Sequence, residues 1–310
     1  MTSHDPRNKT VLHYIDGKFV SQYEAALPLF DSGFLHGKQV WSSPRLIQGR
    51  LFRFGDHLDK IIHSAELNFF PAIPTRAEIT EAVRLTLSKN QMFDGAHVRI
   101  ILTAGSQITA SMDLAAIIDW NDEIPPARVI VMPEYRDNVY DAENGIRLIT
   151  SGFKRPGPDM VDQTSHDNNQ NASSRALAEA KRAGVTSSLM YDGDGFLAEA
   201  PASHAAIVKN GVVRTPFVRC CPPGVTRKVI LELCAEHQIP AEEADLTPAE
   251  VAAADELFLM GTMSGPVPVI ELDGKPVGAG QTGPVTRQLT NLYQRALHSP
   301  THTYPIFGDS

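Results

Sequence analysis

The chemistry available to this chain rests mainly on histidines and on one glycine turn. His36, His166 and His204 carry imidazoles, whose protonation changes near neutral pH and suits acid–base work. Their long spacing in sequence defines no metal site, and none is assigned. His166 opens the run His166-Asp167-Asn168-Asn169, ahead of an Ala-rich stretch that ends at Gly184. Pro223-Gly224-Val225-Thr226-Arg227 places a glycine turn before a helical pattern. A helix opening there offers free N–H groups and a positive dipole end. Cys220, Cys221 and Cys234 are the only cysteines. They match neither a disulfide framework nor a zinc spacing, and read as small buried residues of a reducing cytoplasm.

Local signals set out the elements that must position these groups. Asp16-Gly17 lies between two short apolar runs and predicts a hairpin. Thr75-Arg76-Ala77-Glu78 is a capping box that predicts a helix to about Ser88. Val98–Thr103 and Val129–Pro133 read as strands. The polar stretch Glu134–Gly145 separates two halves, so the expected domains are 1–138 and 139–310. In the second half a strand is expected from Ile146, a helix from Asn169 to Ala183 and a strand over Ser187–Tyr191. The Asp192–Gly195 turn then leads into a strand at Phe196–Glu199, and Asn210-Gly211 marks another hairpin. A helix is expected over Val225–His237 and a capped one at Thr247–Glu250. Leu257–Met260 reads as a strand, Val285–Leu297 as a helix and the last dozen residues as a loose tail. Strands and helices without regular alternation predict an α+β protein.

The chain has 310 residues with a formal net charge of −8 and 42% hydrophobic residues, enough for a sizeable core. A mildly acidic chain without a basic block is a poor partner for nucleic acid or an anionic membrane. The first residues hold no apolar signal core, and no run reaches the ~20 apolar residues of a membrane span. The expected setting is the cytoplasm and the expected partner a small molecule.

Several motifs occur in one order along the chain. They are Phe30-Asp31-Ser32-Gly33-Phe34-Leu35-His36-Gly37, Phe52-Arg53-Phe54-Gly55-Asp56-His57-Leu58-Asp59-Lys60, Asp192 to Glu199, Pro223 to Arg227, Gly261-Thr262 and Gly283-Pro284-Val285-Thr286. Together they resemble the class IV, or fold-type IV, pyridoxal-phosphate aminotransferases, the group of branched-chain, D-amino-acid and R-selective amine transaminases. The resemblance spans about Tyr14 to Leu297. It implies a two-domain α+β fold, a homodimer and an active site in the interdomain cleft. It assigns Glu199 to the pyridine nitrogen of pyridoxal 5′-phosphate. Val225, Thr226 and Thr262 are assigned to its phosphate, with Lys60 standing where the family uses arginine. His36, Trp41, Ala104 and His204 fall at substrate-pocket positions.

The same resemblance exposes departures. The family commonly sets its Schiff-base lysine thirteen residues before the Glu-Ala pair of the next helix, and 179 − 13 gives His166. A branch with one more residue gives Ser165. Neither is lysine. Lys60 keeps a charge but loses the guanidinium fork. Ala104 stands where one branch grips a substrate carboxylate with arginine, and His204 replaces a usual asparagine. Lysine in this family both binds the cofactor and moves a proton; histidine can do only the second. Ordinary transamination is therefore doubtful. The expectation is a protein of aminotransferase ancestry that binds the cofactor non-covalently or has been repurposed for another small molecule. The alternatives are a cofactor-free lyase, isomerase or hydrolase that uses His166, and a non-catalytic binding protein.

Overall fold

A computed structural model of the chain describes residues 5–112, 127–137, 140 and 144–308. The chain divides into two compact units. The first takes residues 1–137, Ser165–Asn169 and Ser299–Ser310, and the second takes the rest. The boundary expected at 138 falls on residues outside the described ones. Two segments that the expected division leaves in the second half, 165–169 and 299–310, cluster with the first unit instead.

In the first unit, β1 (Leu12–Ile15), β2 (Lys18–Ser21), α1 (Ser32–His36) and β3 (Gln39–Ser42) are followed by β4 (Arg45–Ile47) and β5 (Arg50–Phe52). Then come α2 (Phe54–Leu67), α3 (Arg76–Lys89), β6 (Ala96–Thr103) and β7 (Arg128–Tyr135). Asp16 and Gly17 take positive φ of 45° and 83°, the backbone that a two-residue hairpin needs. Thr75 and Glu78 form the expected capping box on α3. β6 is the central strand: it pairs with β7 along its whole length and with β3 and β4 on the other side. Alternation sends Val98, Ile100 and Leu102 into the apolar core with Ile61, Ile79, Val83 and Leu87 of α2 and α3. His97, Arg99 and Ile101 therefore share the opposite face.

The second unit runs β8 (Ile146–Thr150), α4 (Asn171–Arg182), β9 (Ser187–Tyr191), β10 (Leu197–Glu199), β11 (His204–Lys209) and β12 (Val212–Thr215). It continues with α5 (Val225–Glu236), β13 (Ala241–Glu243), α6 (Pro248–Ala252), β14 (Glu256–Gly261), β15 (Gly265–Leu272), β16 (Lys275–Pro276) and α7 (Pro284–Leu297). Its sheet follows the order β10-β9-β8-β15-β14-β11-β12-β13, with β16 beside β15. β8 is parallel to both its neighbours, and most other pairs are antiparallel. Thr247 and Glu250 cap α6 reciprocally, as expected.

The described residues of the last dozen, 299–308, do not form the expected loose tail. β17 (Thr303–Pro305) pairs antiparallel with β5 and extends the first unit's sheet. Ile306 is 2% exposed and joins the first unit's core. Among the described residues no helix is long and apolar enough to cross a membrane.

Candidate active site

In the first unit the groups of interest gather where residues 165–169 lie along β3. The Trp41 amide donates to the His166 carbonyl at 3.0 Å, and the Asn168 amide donates to the Gln39 carbonyl at 3.1 Å. Val40 and Asp167 form a β-bridge between them. Trp41 Nε1 adds a bond to the Asp167 carbonyl at 3.1 Å. From α2, Ser64 Oγ accepts from the His166 amide at 2.9 Å and Asn68 Nδ2 donates to Ser165 Oγ at 2.6 Å. Gly37, at φ 67°, closes α1 where any Cβ would run into the Asn169 side chain.

These bonds fix the His166 side chain. Its Nδ1 lies 2.6 Å from the Trp41 carbonyl oxygen, which can only accept. Nδ1 therefore carries the hydrogen, and Nε2 is the basic nitrogen of the neutral ring. The imidazole packs on the Trp41 indole with ring centroids 4.0 Å apart. The Arg99 guanidinium stands 4.2 Å from the same indole.

The other first-unit candidates are less involved. His36 ends α1 and bonds to the Ser111 carbonyl at 3.1 Å. Lys60 is half-buried on α2, one turn beyond His57. His57 is fully enclosed, bonds Ser42 Oγ at 2.8 Å, and burial with Lys60 nearby lowers its pKa to about 3. Ala104 has no exposed surface and belongs to the apolar core, so no pocket wall is found at its methyl. A cavity of about 360 Å³ does open on the sheet face of Arg99, lined also by His13, His97, Glu134 and Arg136. Burial and the neighbouring arginines lower the His97 pKa to about 3. Burial and Arg136 also lower that of Arg99. Two arginines line this face, and Arg136 pairs with the Glu134 carboxylate at 3.6 Å.

In the second unit, Glu199 ends β10 and His204 begins β11, joined by a turn that an Ala200–Ser203 bridge closes. Both side chains are buried. Glu199 Oε1 pairs with Arg155 Nε at 3.1 Å, and Oε2 lies 3.8 Å from His204 Nδ1. Arg155, only 4% exposed, also holds the Cys220 carbonyl, Ser173 Oγ and Gln163 Oε1. Gly224 precedes α5 as its N-cap, and Val225 and Thr226 form the buried first turn. Their amides have no acceptor among the described residues, as a helix start without a side-chain cap requires. Gly224 has no room for a Cβ because the His204 imidazole lies against it. Cys221 is buried, and burial beside Glu199 pushes its thiol pKa well up. Thr262 follows β14, where Gly261 packs on the Ser203 hydroxyl. Lys154 Nζ points to the Gly193 carbonyl at 3.4 Å.

The motif reading did not single out Ser64, Asn68 or Arg99 as functional. Ser64 lies four residues beyond the Phe52–Lys60 motif, and the bond it makes is to a segment 102 positions away.

Two units of this topology, with a glycine turn opening a buried helix beside a strand-end glutamate, define a fold-type IV scaffold. The family model for amino-transferase class IV matches residues 43–272, and the chain belongs to that family. It is 36% identical to the branched-chain-amino-acid aminotransferase-like protein 2 of Arabidopsis thaliana over 98% of this chain and 53% of that protein. The chain thus spans about half the length of that plant relative. It is 32% identical to a putative branched-chain-amino-acid aminotransferase of Methanocaldococcus jannaschii, over 91% of this chain and 94% of the other. The branched-chain amino acid aminotransferase of Escherichia coli shares the fold, with a TM-score of 0.86 at 23% identity over 96% of this chain and 99% of that one.

Proposed function

We propose that this chain binds pyridoxal 5′-phosphate without a covalent link and acts on a small carboxylate-bearing amine or oxo compound. The observation that carries this reading is a pairing of two features. The second unit offers groups suited to a phosphate and a pyridine nitrogen, while no lysine stands anywhere between Lys154 and Lys181. The free amides of Val225 and Thr226 at the α5 N-terminus suit a phosphate. Glu199, kept as a buried carboxylate by Arg155, suits a protonated pyridine nitrogen. Thr262 is assigned as a further phosphate contact. When bound, the cofactor supplies an electron sink for charge developing beside the substrate nitrogen.

The protein's own contribution to proton movement is His166. Its Nδ1–H is tied to the Trp41 carbonyl, so protons enter and leave at Nε2. Packing on the indole keeps the ring from turning. The substrate's carboxylate is assigned to the arginine-rich face around Arg99 and Arg136, since Ala104 offers no grip. His36 is assigned to the substrate pocket. A homodimer in the cytoplasm is the expected form.

Equilibrium dialysis with pyridoxal 5′-phosphate tests this reading. One cofactor per chain, released on dialysis and bound more weakly by Glu199→Gln, is the expected result. Saturation with no binding by the folded protein would refute it. A second reading, a cofactor-free acid–base enzyme using His166, is favoured by the fixed tautomer alone. It gains if turnover survives complete removal of the cofactor, and loses if turnover vanishes and returns on re-addition.

A further inference from the structure

We propose that Glu199, His204 and Cys221 form a binding site for one divalent transition-metal ion, zinc in particular. The three ligand atoms, a carboxylate oxygen, an imidazole nitrogen and a thiol sulfur, all lie within 4.8 Å of one another. All three residues are buried, at 7%, 9% and 2% exposure. Among the described residues no other group of this kind gathers as closely. Glu199 and Cys221 are separated in sequence by a turn, a hairpin and a loop, so local sequence does not force the cluster together.

The geometry suits coordination. Glu199 Oε2 and His204 Nδ1 are 3.8 Å apart. Two ligands on a tetrahedral zinc, each bonded at about 2.0–2.3 Å, sit roughly 3.3–3.7 Å apart. Small side-chain rotations close the difference. The His204 ring lies with Nε2 and Cδ2 against Gly224, which leaves Nδ1 directed at Glu199. Arg155 takes Glu199 Oε1, so Oε2 is the metal-facing oxygen and its orientation is set by an outer partner.

The charges also balance. A dication and the Arg155 guanidinium stand against one carboxylate and one thiolate, leaving a single positive charge. A hydroxide in the fourth position cancels it, as in sites with three protein ligands and one open place. Binding requires loss of the Cys221 proton, which passes to solvent. A thiolate and an imidazole beside one carboxylate select zinc or cobalt over magnesium or calcium. Glu199 cannot serve a metal and a pyridine nitrogen together, so metal and pyridoxal phosphate exclude each other. The metal proposal stands on its own geometry, apart from the cofactor reading.

Cobalt(II) titration of the chelator-treated full chain is the test. The expected result is one equivalent bound, with the ultraviolet charge-transfer band of a cobalt thiolate and the visible bands of four-coordinate cobalt, both removed by added zinc. Cys221→Ser loses the charge-transfer band. His204→Asn keeps a thiolate band but binds cobalt roughly tenfold more weakly or worse, by analogy with the loss of a ligand's support. Circular dichroism confirms folding of each variant, and if one fails to fold the other gives the answer. Absence of the band in the folded wild-type chain overturns the proposal. So does a band that survives Cys221→Ser, which would move the thiolate to another cysteine. Cofactor binding, read separately on the metal-free protein, is unaffected by either outcome.

Discussion

His166 and Trp41 hold each other by three contacts: the His166 Nδ1–H to the Trp41 carbonyl at 2.6 Å, the Trp41 amide to the His166 carbonyl at 3.0 Å, and rings in tilted contact with centroids 4.0 Å apart. The pair joins β3 to residues 165–169 and sets which imidazole nitrogen is basic.

Trp41→Ala removes the indole that both the Arg99 guanidinium and the His166 ring contact. The aromatic contact is worth about 0.5–1.5 kcal/mol and the cation–π contact about 0.5–1 kcal/mol, with lost apolar burial added. Chemical denaturation should show a loss of about 2–3 kcal/mol, largely restored in Trp41→Phe. An unchanged midpoint in Trp41→Ala would mean that the indole does not anchor the segment.

Asp31 is fully buried and accepts from the Gly33 amide, Thr103 Oγ1 and Arg128 Nε, at 2.8, 2.9 and 2.9 Å. Arg128 also pairs with Asp16 at the hairpin turn. Arg128→Ala strands a buried carboxylate, which costs about 3–5 kcal/mol. Asp31→Asn in the same background should recover part of that loss. A double-mutant cycle on urea midpoints checks both.

His57 and His97 each have a folded-state pKa lowered to about 3 from 6.5, first by burial. A histidine with a depressed folded pKa binds its proton more readily when unfolded. Its contribution to stability is therefore complete above pH 6.5 and is lost as pH falls from there toward 3. Each group adds a slope of about 1.4 kcal/mol per pH unit inside that window. His97→Gln should flatten the acid limb of the stability profile by about one such slope. Parallel profiles for variant and wild type would contradict the burial argument.

Ile306→Ala should destabilise the first unit by about 2–4 kcal/mol, since the side chain is buried in its core. Thermal melts of the variant test this. The size of the effect measures how firmly β17 is held.

What the sequence made legible was local. The Asp16-Gly17 and Asn210-Gly211 turns and the Thr75 and Thr247 capping boxes depend on neighbours a few residues apart, and each formed where read. Helices α4, α5 and α7 came within a few residues of their expected limits. The contacts that matter for the site are long-range. His166 meets Trp41 across 125 positions, which no turn signal or period reports. The tail looked loose because its pattern is short, yet three residues suffice to add an edge strand to β5. Ala104 was expected in a pocket from its motif position alone, but strand alternation at the end of β6 turns its methyl into the core. Arg155 beside Glu199 was also out of reach of the sequence, because a salt bridge between a loop residue and a strand end 44 positions on is visible only when the unit is assembled.

The central claim is a cofactor held without a covalent link, and intact-mass measurement after borohydride reduction tests it most directly. The folded chain, saturated with pyridoxal 5′-phosphate and then reduced, is predicted to keep its unmodified mass. His166→Lys is predicted to gain one pyridoxyl group under the same treatment. A stoichiometric pyridoxyl adduct on the wild-type chain, mapped to Lys38, Lys60 or Lys154, would contradict the account.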